Sequence, residues 1–535
     1  MNASVIISPA WLRTILFLIF LVNGLIYIPR QSITYDEGNH YNYASRFVKG
    51  SPEKIKPYDD ASTMPFSALN TIPRIIEQLF NRTLKKTDNG KEDIINGRYV
   101  TLLISLLIGW YVYRWSRDLY GENAGLLSLF LYTFCPNISA YAGLVTTDVY
   151  SALFTIAPLF YFWKYTRTEQ KKDLIWFSIL LAVAQLTKQS LTYLYPLFII
   201  LVVIVYFQKP NVKAFKVKNL LRAILLVTVI QLAVINLGFQ FNHTGQPLRN
   251  YEFKSRFFNH LKQGVGFFAE VPLPLPVPYL QGLDYTKNMD EWGGGANLIT
   301  PYSYLFGERR MKTGFKYYYL VVSFYKIPIA ILVFILVSII LMIKRKPRFL
   351  FYDKELYPVF TIIFFLAYFN LFYNSQVGIR HILLILPLLF VICGIIVQRL
   401  CDRNSGRIFV LANCLYGILS FYYYFPHLIS YTNEFITDKK MAYKIMADSN
   451  LDYGHGNNYL NKFLMDHPST SYAPKTPKAG RFIISVNDLV DVSGKRNYHW
   501  LRDHFKPTDH FIFAYLIFTI SDIDLKNKGL NLTVE

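Results

Sequence analysis

Long apolar runs are the feature that most restricts the fold of this 535-residue chain. Eleven runs are candidates for helices that cross a bilayer, each of which needs about 20 mostly apolar residues. They lie at about 11–28, 98–114, 122–138, 148–163, 174–187, 189–207, 221–239, 317–343, 357–373, 381–398 and 407–426. Because backbone polar groups in lipid must bond internally, the runs predict an α-helical polytopic membrane protein with about eleven transmembrane helices. We expect the first run to be a retained span and not a removed signal peptide.

The composition narrows the class of protein further. Hydrophobic residues make up 53% of the chain and charged residues 17%, against about 25% charged residues in soluble domains. This excludes a disordered, collagen-like or disulfide-rich secreted chain. The net charge of +21 does not indicate a nucleic-acid partner, because membrane proteins carry such an excess in their cytoplasmic loops. The four cysteines have the spacing of neither a zinc site nor a disulfide framework.

Basic residues predict which side of the membrane each loop faces. One alternating set of loops carries 19 Lys and Arg residues, whereas the short loops of opposite parity carry only Lys188 and Arg380. The basic set is therefore predicted to be cytoplasmic and in contact with anionic membrane lipids, and the segments at about 30–97, 240–316 and 427–535 to face outward. The 19 residues are Arg114, Arg117, Lys164, Arg167, Lys171, Lys172, Lys209, Lys213, Lys216, Lys218, Arg222, Lys344, Arg345, Lys346, Arg348, Lys354, Arg399, Arg403 and Arg407.

The last outward segment is predicted to form a small α/β domain. Asp438–Leu464 is polar and typical of a helix, and Arg481–Val490 and His510–Ile520 are typical of strands. We therefore expect a transmembrane domain at 1–426, with its two outward loops, and a C-terminal outward-facing domain at 427–535.

Two acidic positions are candidates for chemistry at the outer ends of spans. Asp36 and Glu37 are adjacent just beyond the first run, and such a pair can hold one pKa high enough for general-base work. Asp148 stands at the start of another run, at the same predicted membrane level. The alternative is structural: a solvated loop with a helix N-cap at Asp36, and an N-cap at Asp148.

Two basic positions break the positive-inside pattern at the same level. Lys188 and the pair Arg380-His381 stand at outer ends of spans, where an anion would explain them. Arg grips phosphate oxygens in pairs and Lys acts as a compact point charge. The alternative is that each side chain extends to the interface from a buried stem. Together with the carboxylates, these cations predict one outward-facing site.

Nine short stretches with a fixed order and topological position carry a family resemblance along almost the whole chain. They are Tyr35-Asp36-Glu37, Thr146-Thr147-Asp148, Leu186-Thr187-Lys188, Tyr279-Leu-Gln-Gly282, Tyr304-Leu-Phe-Gly-Glu308, Lys326-Ile-Pro328, Gly378-Ile-Arg-His-Ile-Leu383, Tyr431-Thr-Asn433 and Asp448-Ser-Asn-Leu-Asp452-Tyr-Gly454. In these the chain resembles the GT-C polyprenyl-phosphate-dependent glycosyltransferases, in the branch of the dolichyl-phosphate-mannose protein mannosyltransferases. It is similar, more distantly, to the bacterial lipid A aminoarabinose transferases.

The resemblance implies a GT-C fold with a catalytic transmembrane domain and a transfer reaction at the outer membrane face. A sugar would pass with inversion from a polyprenyl-phosphate donor to an acceptor hydroxyl on a protein or a glycolipid. Asp36 would be the general base, Glu37 would position a substrate or bind a metal, and Asp148 would support the acidic cluster. Lys188 and Arg380-His381 would hold the phosphate. The carboxylates could bind a divalent metal ion, although no complete ligand set is visible.

Two positions depart from the pattern of the relatives. His381 stands where many relatives have an aromatic residue, and Tyr453-Gly454-His455 stands where relatives commonly have Trp-Gly-Gln. No role is carried over to the second stretch, and we expect a helix cap there at the start of the outer domain. Because eukaryotic members usually carry other luminal domains, we expect a multi-pass protein of a bacterial cytoplasmic membrane.

Two other functions are compatible with an anchored chain of this kind. A transporter or lipid flippase would use polar residues near the membrane midplane, often in repeated halves, whereas here the ionisable residues cluster at span ends and no repeat is visible. A non-catalytic assembly factor would use its outward C-terminal domain as a binding part.

Overall fold

The computed structural model describes residues 8–80, 90–208, 217–293, 302–344, 354–495 and 497–530. Six of the basic loop residues lie outside these ranges: Lys209, Lys213, Lys216, Arg345, Lys346 and Arg348. The first thirteen α-helices are α1 (Pro9–Tyr27), α2 (Glu37–Val48), α3 (Ile72–Leu79), α4 (Lys91–Tyr120), α5 (Glu122–Thr133), α6 (Pro136–Ala142), α7 (Asp148–Thr168), α8 (Lys171–Ala184), α9 (Leu194–Gln208), α10 (Val217–Gly238), α11 (Arg256–Gly264), α12 (Val277–Trp292) and α13 (Tyr318–Lys326). The remaining α-helices are α14 (Ile329–Ile343), α15 (Leu356–Leu371), α16 (Leu386–Cys393), α17 (Ile395–Leu400), α18 (Asn404–Tyr424), α19 (Asn457–Asp466), α20 (Val486–Val490), α21 (His499–His504) and α22 (Asp522–Asn527).

Every apolar run forms helix, which confirms the predicted α-helical class. Several runs are broken, however: one is interrupted before Pro136, and the run that gives α13 and α14 bends by 117° at Ile327-Pro328. Among the described residues, five helical segments are long and apolar enough to cross a membrane, or six if the bent pair is one span. The predicted count of eleven is therefore not confirmed. Helices such as α5 and α8, with 12 and 14 residues, are shorter than the roughly 20 residues of a single span.

The main core lies where α1, α4, α5, α7 and α16 pack together. Helix α7 is buried along nearly its whole length, on all of its faces. A helix that is apolar all round is typical of the centre of a helical bundle. The backbone of its first residue, Asp148, is therefore held in place by a well-packed helix.

Six strands are found among the described residues, two in the second long loop and four in the C-terminal region. The strands are β1 (Tyr302–Leu305), β2 (Glu308–Met311), β3 (Thr470–Tyr472), β4 (Gly480–Ser485), β5 (Asp509–Phe511) and β6 (Tyr515–Ile520). The last four form one sheet in the order β3-β4-β6-β5, with β3 and β4 parallel and the other pairs antiparallel. This sheet, together with α20, α21 and α22, agrees with the predicted small α/β fold.

Three features of this region differ from prediction, the third being that the predicted strand Arg481–Val490 ends at Ser485, whose side chain caps helix α20 at Val486–Val490. Most of Asp438–Leu464 is loop and short 3-10 helix, and regular α-helix begins only at Asn457, the first residue of α19. The reason is that this stretch is pinned by contacts to other segments, described below. The second difference is that Tyr304 of the β1–β2 hairpin packs into the C-terminal core, so a segment of the second long loop completes it. The division at 426/427 stays a prediction.

Candidate active site

Asp36 and Arg380 meet although they are far apart in the sequence. Asp36 follows α1 and stands at the N-cap position of α2, but its side chain makes no capping hydrogen bond. Instead, Arg380 Nη1 donates to Asp36 Oδ2 over 2.5 Å, and the Tyr453 hydroxyl donates to the same oxygen over 2.7 Å. The alternative prediction, that the Asp36 side chain caps a helix, is therefore wrong, although the residue does stand at the N-cap position.

A second ion pair adjoins the first. Lys188 Nζ donates to Asp148 Oδ1 over 2.6 Å, and Asp148 Oδ2 lies 4.0 Å from Arg380 Nη1. Asp148 is the first residue of α7 and, like Asp36, makes no capping hydrogen bond. A carboxylate is nevertheless favoured there because the helix N-terminus carries a partial positive charge. The structure thus brings four predicted residues, Asp36, Asp148, Lys188 and Arg380, into one cluster.

The protonation states in this cluster follow from burial and charge. Burial by itself would raise the pKa of Asp36, but the charge of Arg380 and the hydrogen bond from Tyr453 outweigh it and lower the pKa to about 2. Burial lowers the pKa of His40 to about 4, against the opposing influence of the nearby carboxylates of Asp36 and Asp148. At neutral pH, Asp36 is therefore ionised and His40 is a neutral ring.

The cluster opens into a cavity of about 840 Å³, within the usual range for ligand sites. Asp36, Asp148, Lys188 and Arg380 all line it, and aromatic side chains cover much of the remaining wall. The aromatic lining residues are Tyr58, Tyr193, Phe257, Phe258, Tyr368, Phe369 and Tyr373. The cavity is therefore lined by a charged cluster and by a large apolar surface.

Sequence reasoning missed a third ion pair in this cavity. Lys287 Nζ lies 2.7 Å from Asp290 Oδ2, and Asp290 Oδ1 accepts from the backbone N–H of Asn374. Both charged residues belong to α12 and line the cavity. Nothing in the sequence distinguishes them from other charges of the second long loop.

Glu37 lies elsewhere, although it is adjacent to Asp36. It is not part of the cavity lining, and its side chain and that of Arg98 are both fully buried. Arg98 Nη2 and Nε donate to the two Glu37 oxygens over 2.6 and 2.8 Å, and the backbone N–H groups of Thr34 and Val145 donate as well. This arrangement favours a structural role for Glu37 over contact with a substrate or a metal. In the sequence, Arg98 is distinguished only as a single charged residue at the start of an apolar run.

His381 lines the cavity on the aromatic side. Its ring centroid lies 5.3 Å from that of Tyr373 and 6.3 Å from those of Tyr319 and Phe369. His381 therefore packs against other rings, as an aromatic residue would at this position. Its predicted phosphate contact stays a prediction.

The stretch from Asp448 to His455 contacts the cluster, and the helix cap expected within it is not found there. The α-helix that follows begins only at Asn457, with Gly456 as its N-cap. Tyr453 instead reaches Asp36 and Arg380, and Asn450 Oδ1 accepts from the backbone N–H of Ile379 over 3.0 Å.

Asp448 in this loop makes stability depend on pH. Burial raises its pKa to about 7, above the value of an unfolded chain, so the folded protein binds a proton that the unfolded chain releases. Stability is then full below about pH 4 and falls as pH rises toward 7, by at most about 1.4 kcal/mol per pH unit. We expect Asp448→Asn to remove much of this fall in the melting temperature. Asn also tolerates the positive φ of 56° at this position.

The control for this prediction is Asp466→Asn, which changes an exposed carboxylate on α19. It should leave the pH dependence of the melting temperature as in the wild type. Equal pH dependence in Asp448→Asn and the wild type would contradict the prediction.

No group of three or more His, Cys, Asp or Glu side chains that could hold a metal ion is found in the described part of the chain. The two carboxylates of the cluster are instead neutralised by cations of the protein itself, Lys188 and Arg380.

Comparison with known proteins adds a family match to this geometry. The family model described as "Dolichyl-phosphate-mannose-protein mannosyltransferase" matches residues 90–235, from the start of α4 into α10. This match fits the GT-C resemblance of the short stretches. No curated protein matches the chain significantly.

Two solved structures are similar to the chain over most of its length. One is ArnT from Cupriavidus metallidurans bound to undecaprenyl phosphate, with 13% identity, 94% of this chain and 97% of that chain covered, and a TM-score of 0.49. The other is the same protein in the apo state, with 12% identity, coverage of 95% and 98%, and a TM-score of 0.45.

Proposed function

We propose that this protein is a membrane glycosyltransferase that moves a sugar from a polyprenyl-phosphate donor to an acceptor hydroxyl. The observation that carries the proposal is the paired cluster of Asp36 with Arg380 and Asp148 with Lys188 on the floor of a large, partly aromatic cavity. The family match over residues 90–235 supports the same class of reaction.

Unpaired polar atoms indicate that the cavity takes a polar ligand. Asp148 Oδ2, Arg380 Nε, His40 Nδ1 and Gln189 Oε1 are buried and have no hydrogen-bond partner among the described residues. All four residues line the cavity. Buried polar atoms are costly to leave unpaired, so a phosphate and the hydroxyls of a sugar would satisfy them. The aromatic wall would pack against the apolar faces of the sugar and the first part of the lipid tail.

The reaction divides between the two ion pairs. Asp36 takes the proton of the acceptor hydroxyl, whose oxygen attacks the anomeric carbon as the bond from that carbon to the phosphate oxygen breaks. The donor phosphodiester carries one negative charge and the released polyprenyl phosphate carries two. Lys188 and Arg380 therefore stabilise the transition state more than the bound donor, as catalysis requires.

Donor binding would also raise the pKa of Asp36, the proposed base. With Arg380 beside it, Asp36 has a pKa of about 2 and is a weak base. A phosphate that shares Arg380 removes part of the charge that lowers this pKa, so the pKa of Asp36 rises toward the range useful for proton transfer. The donor would thus bind before the acceptor is deprotonated.

The remaining assignments rest on charge and resemblance. The basic loops predict that the cavity faces the outside of a bacterial cytoplasmic membrane, with residues 427–535 as an outward-facing domain above it. The acceptor would be a hydroxyl of a protein or of a glycolipid, and the sugar a hexose or a pentose.

The test is a transfer assay with the full chain reconstituted in lipid vesicles. Polyprenyl-phosphate-linked sugars are supplied with envelope proteins and lipids from cells that lack the protein, and the acceptors are analysed by mass spectrometry. A gain of one sugar mass on one acceptor fraction is the expected result. Movement of the lipid across the bilayer without a new covalent bond would instead support a transporter or flippase.

Lys188 should set the affinity for the donor phosphate. We expect the double variant Lys188→Met with Asp148→Asn to raise the KM for the donor about 10-fold relative to Asp148→Asn alone. The reason is that a hydrogen bond to a charged group contributes about 1.5 to 3 kcal/mol. The double variant is used because Lys188→Met alone would leave the Asp148 carboxylate buried and unpaired.

Initial-rate measurements with both variants test this prediction. Lys462→Met, which changes an exposed cation on α19 that is not part of the cavity lining, serves as a control for loss of positive charge. Equal donor KM values in Asp148→Asn and the double variant would contradict the role of Lys188.

A further inference from the structure

Tyr453 joins the two charged groups at the centre of the cluster. Its hydroxyl donates to Asp36 Oδ2 over 2.7 Å and accepts from Arg380 Nη1 over 2.5 Å. The Arg380 guanidinium also lies over the Tyr453 ring, 4.7 Å from its centroid. The ring is buried and packs near Tyr35 and Tyr141, with centroids 6.3 and 6.4 Å away. The hydroxyl is thus held in one position by the packing of its ring.

Main-chain contacts fix this position relative to the segment that carries Asp36. The backbone N–H of Tyr35 donates to the carbonyl of Tyr453, and that of Ser32 donates to the carbonyl of His455. Gly454 lies between them with a φ of 82°, and a Cβ atom there would stand 3.2 Å from the Tyr35 ring. A glycine is therefore required for the two segments to lie this close.

The same loop also holds the segment of Arg380. Asn450 Oδ1 accepts from the backbone N–H of Ile379, and Ser449 Oγ donates to the carbonyl of Val377. A Cβ atom on Gly378 would stand 2.4 Å from Ser449 Oγ, so these segments are also in close contact. The loop from Asp448 to His455 therefore sets the relative position of the predicted base and the predicted phosphate ligand.

We propose that Tyr453 is a positioning residue, whose hydroxyl keeps the Asp36 carboxylate aimed at the acceptor while Arg380 turns to the donor phosphate. This inference rests on the proposed transfer reaction. Both Arg380 and Tyr453 donate to Oδ2 of Asp36. Once phosphate shares Arg380, the Tyr453 hydroxyl is the contact that remains, and it leaves Oδ1 to accept the proton. The site is thus incomplete without a residue from the start of the C-terminal region.

The test is the pH dependence of kcat for Tyr453→Phe at saturating donor. Phenylalanine keeps the ring packing and removes the hydrogen bond that favours the ionised carboxylate. We expect kcat to fall about 10-fold, the donor KM to stay within about twofold, and the acid limb of the kcat profile to move up by about one pH unit. The kcat profile is used because it reports the enzyme with donor bound.

Tyr141→Phe is the matched control. It removes the hydroxyl of a neighbouring buried tyrosine that donates to the carbonyl of Ser449 over 3.2 Å and does not contact Asp36. We expect it to leave the acid limb in place, and melting temperatures of both variants show that they fold. An unchanged acid limb in Tyr453→Phe, with an active wild type, would overturn this inference and leave the transferase proposal intact. A wild type that transfers no sugar would overturn both.

Discussion

Asp36→Asn should lower the rate of sugar transfer by about 100- to 10,000-fold, which is the usual contribution of a general base. Asparagine has nearly the same shape but cannot take the proton of the acceptor hydroxyl. The side chain of Asp36 is 33% exposed at the cavity, so the substitution should leave the fold intact. The measurement is kcat/KM for the acceptor in the vesicle assay, with the melting temperature measured in parallel.

The control for this prediction is Asp503→Asn, which removes a half-exposed carboxylate paired with Arg502 in α21. It also removes an Asp–Arg ion pair, but one that is not part of the cavity lining, and should change kcat/KM by no more than about twofold. Full transfer activity in Asp36→Asn would refute the assignment of the base, whatever the effect of the control.

Glu37→Gln should have an effect of similar size on a different quantity, the stability of the fold. It leaves the fully buried Arg98 guanidinium without a counter-charge, and breaking a buried ion pair in this way costs about 3 to 5 kcal/mol. We expect a large loss of folded protein after solubilisation and a lower melting temperature. Transfer activity per folded molecule should fall much less than in Asp36→Asn.

Removing both partners should not restore the protein. Arg98 also donates to the backbone carbonyls of Gln31 and Ser32, so Glu37→Leu with Arg98→Leu would leave those two oxygens without this partner. The prediction for Glu37→Gln is contradicted if this variant has the melting temperature of the wild type but no transfer activity. That result would give Glu37 a direct role in the chemistry.

These two predictions separate adjacent carboxylates that the sequence treats as a pair. Asp36 precedes the first turn of α2 and Glu37 begins it, so their side chains leave the backbone in different directions. One direction leads to Arg380 and the cavity, and the other to Arg98 in the core. The acidic pair is thus two separate ion pairs. The raised pKa predicted for one member is not found at Asp36, because Arg380 and Tyr453 lower the pKa of that carboxylate.

The apolar runs and the chemistry of the span ends could be predicted from the sequence. All eleven runs are helical because local apolar composition is enough to specify helix in lipid. Asp36 and Asp148 were candidates as carboxylates at the outer ends of spans, and Lys188 and Arg380 because they break the positive-inside pattern. The structure brings these four residues together. Strand pattern likewise predicted β4 and β6.

Only the tertiary structure decided which partners these residues have. Tyr453 and Asp36 are 417 residues apart, Arg380 and Asp36 344, and Arg98 and Glu37 61. Such contacts leave no local signal, because a tyrosine in a polar loop or a lone arginine in an apolar run has many possible environments. The sequence alone therefore determined a helical membrane protein with acidic and basic residues at the ends of its apolar runs. The long-range packing determined that Tyr453 contacts Asp36 and Arg380 and that Glu37 is part of the core.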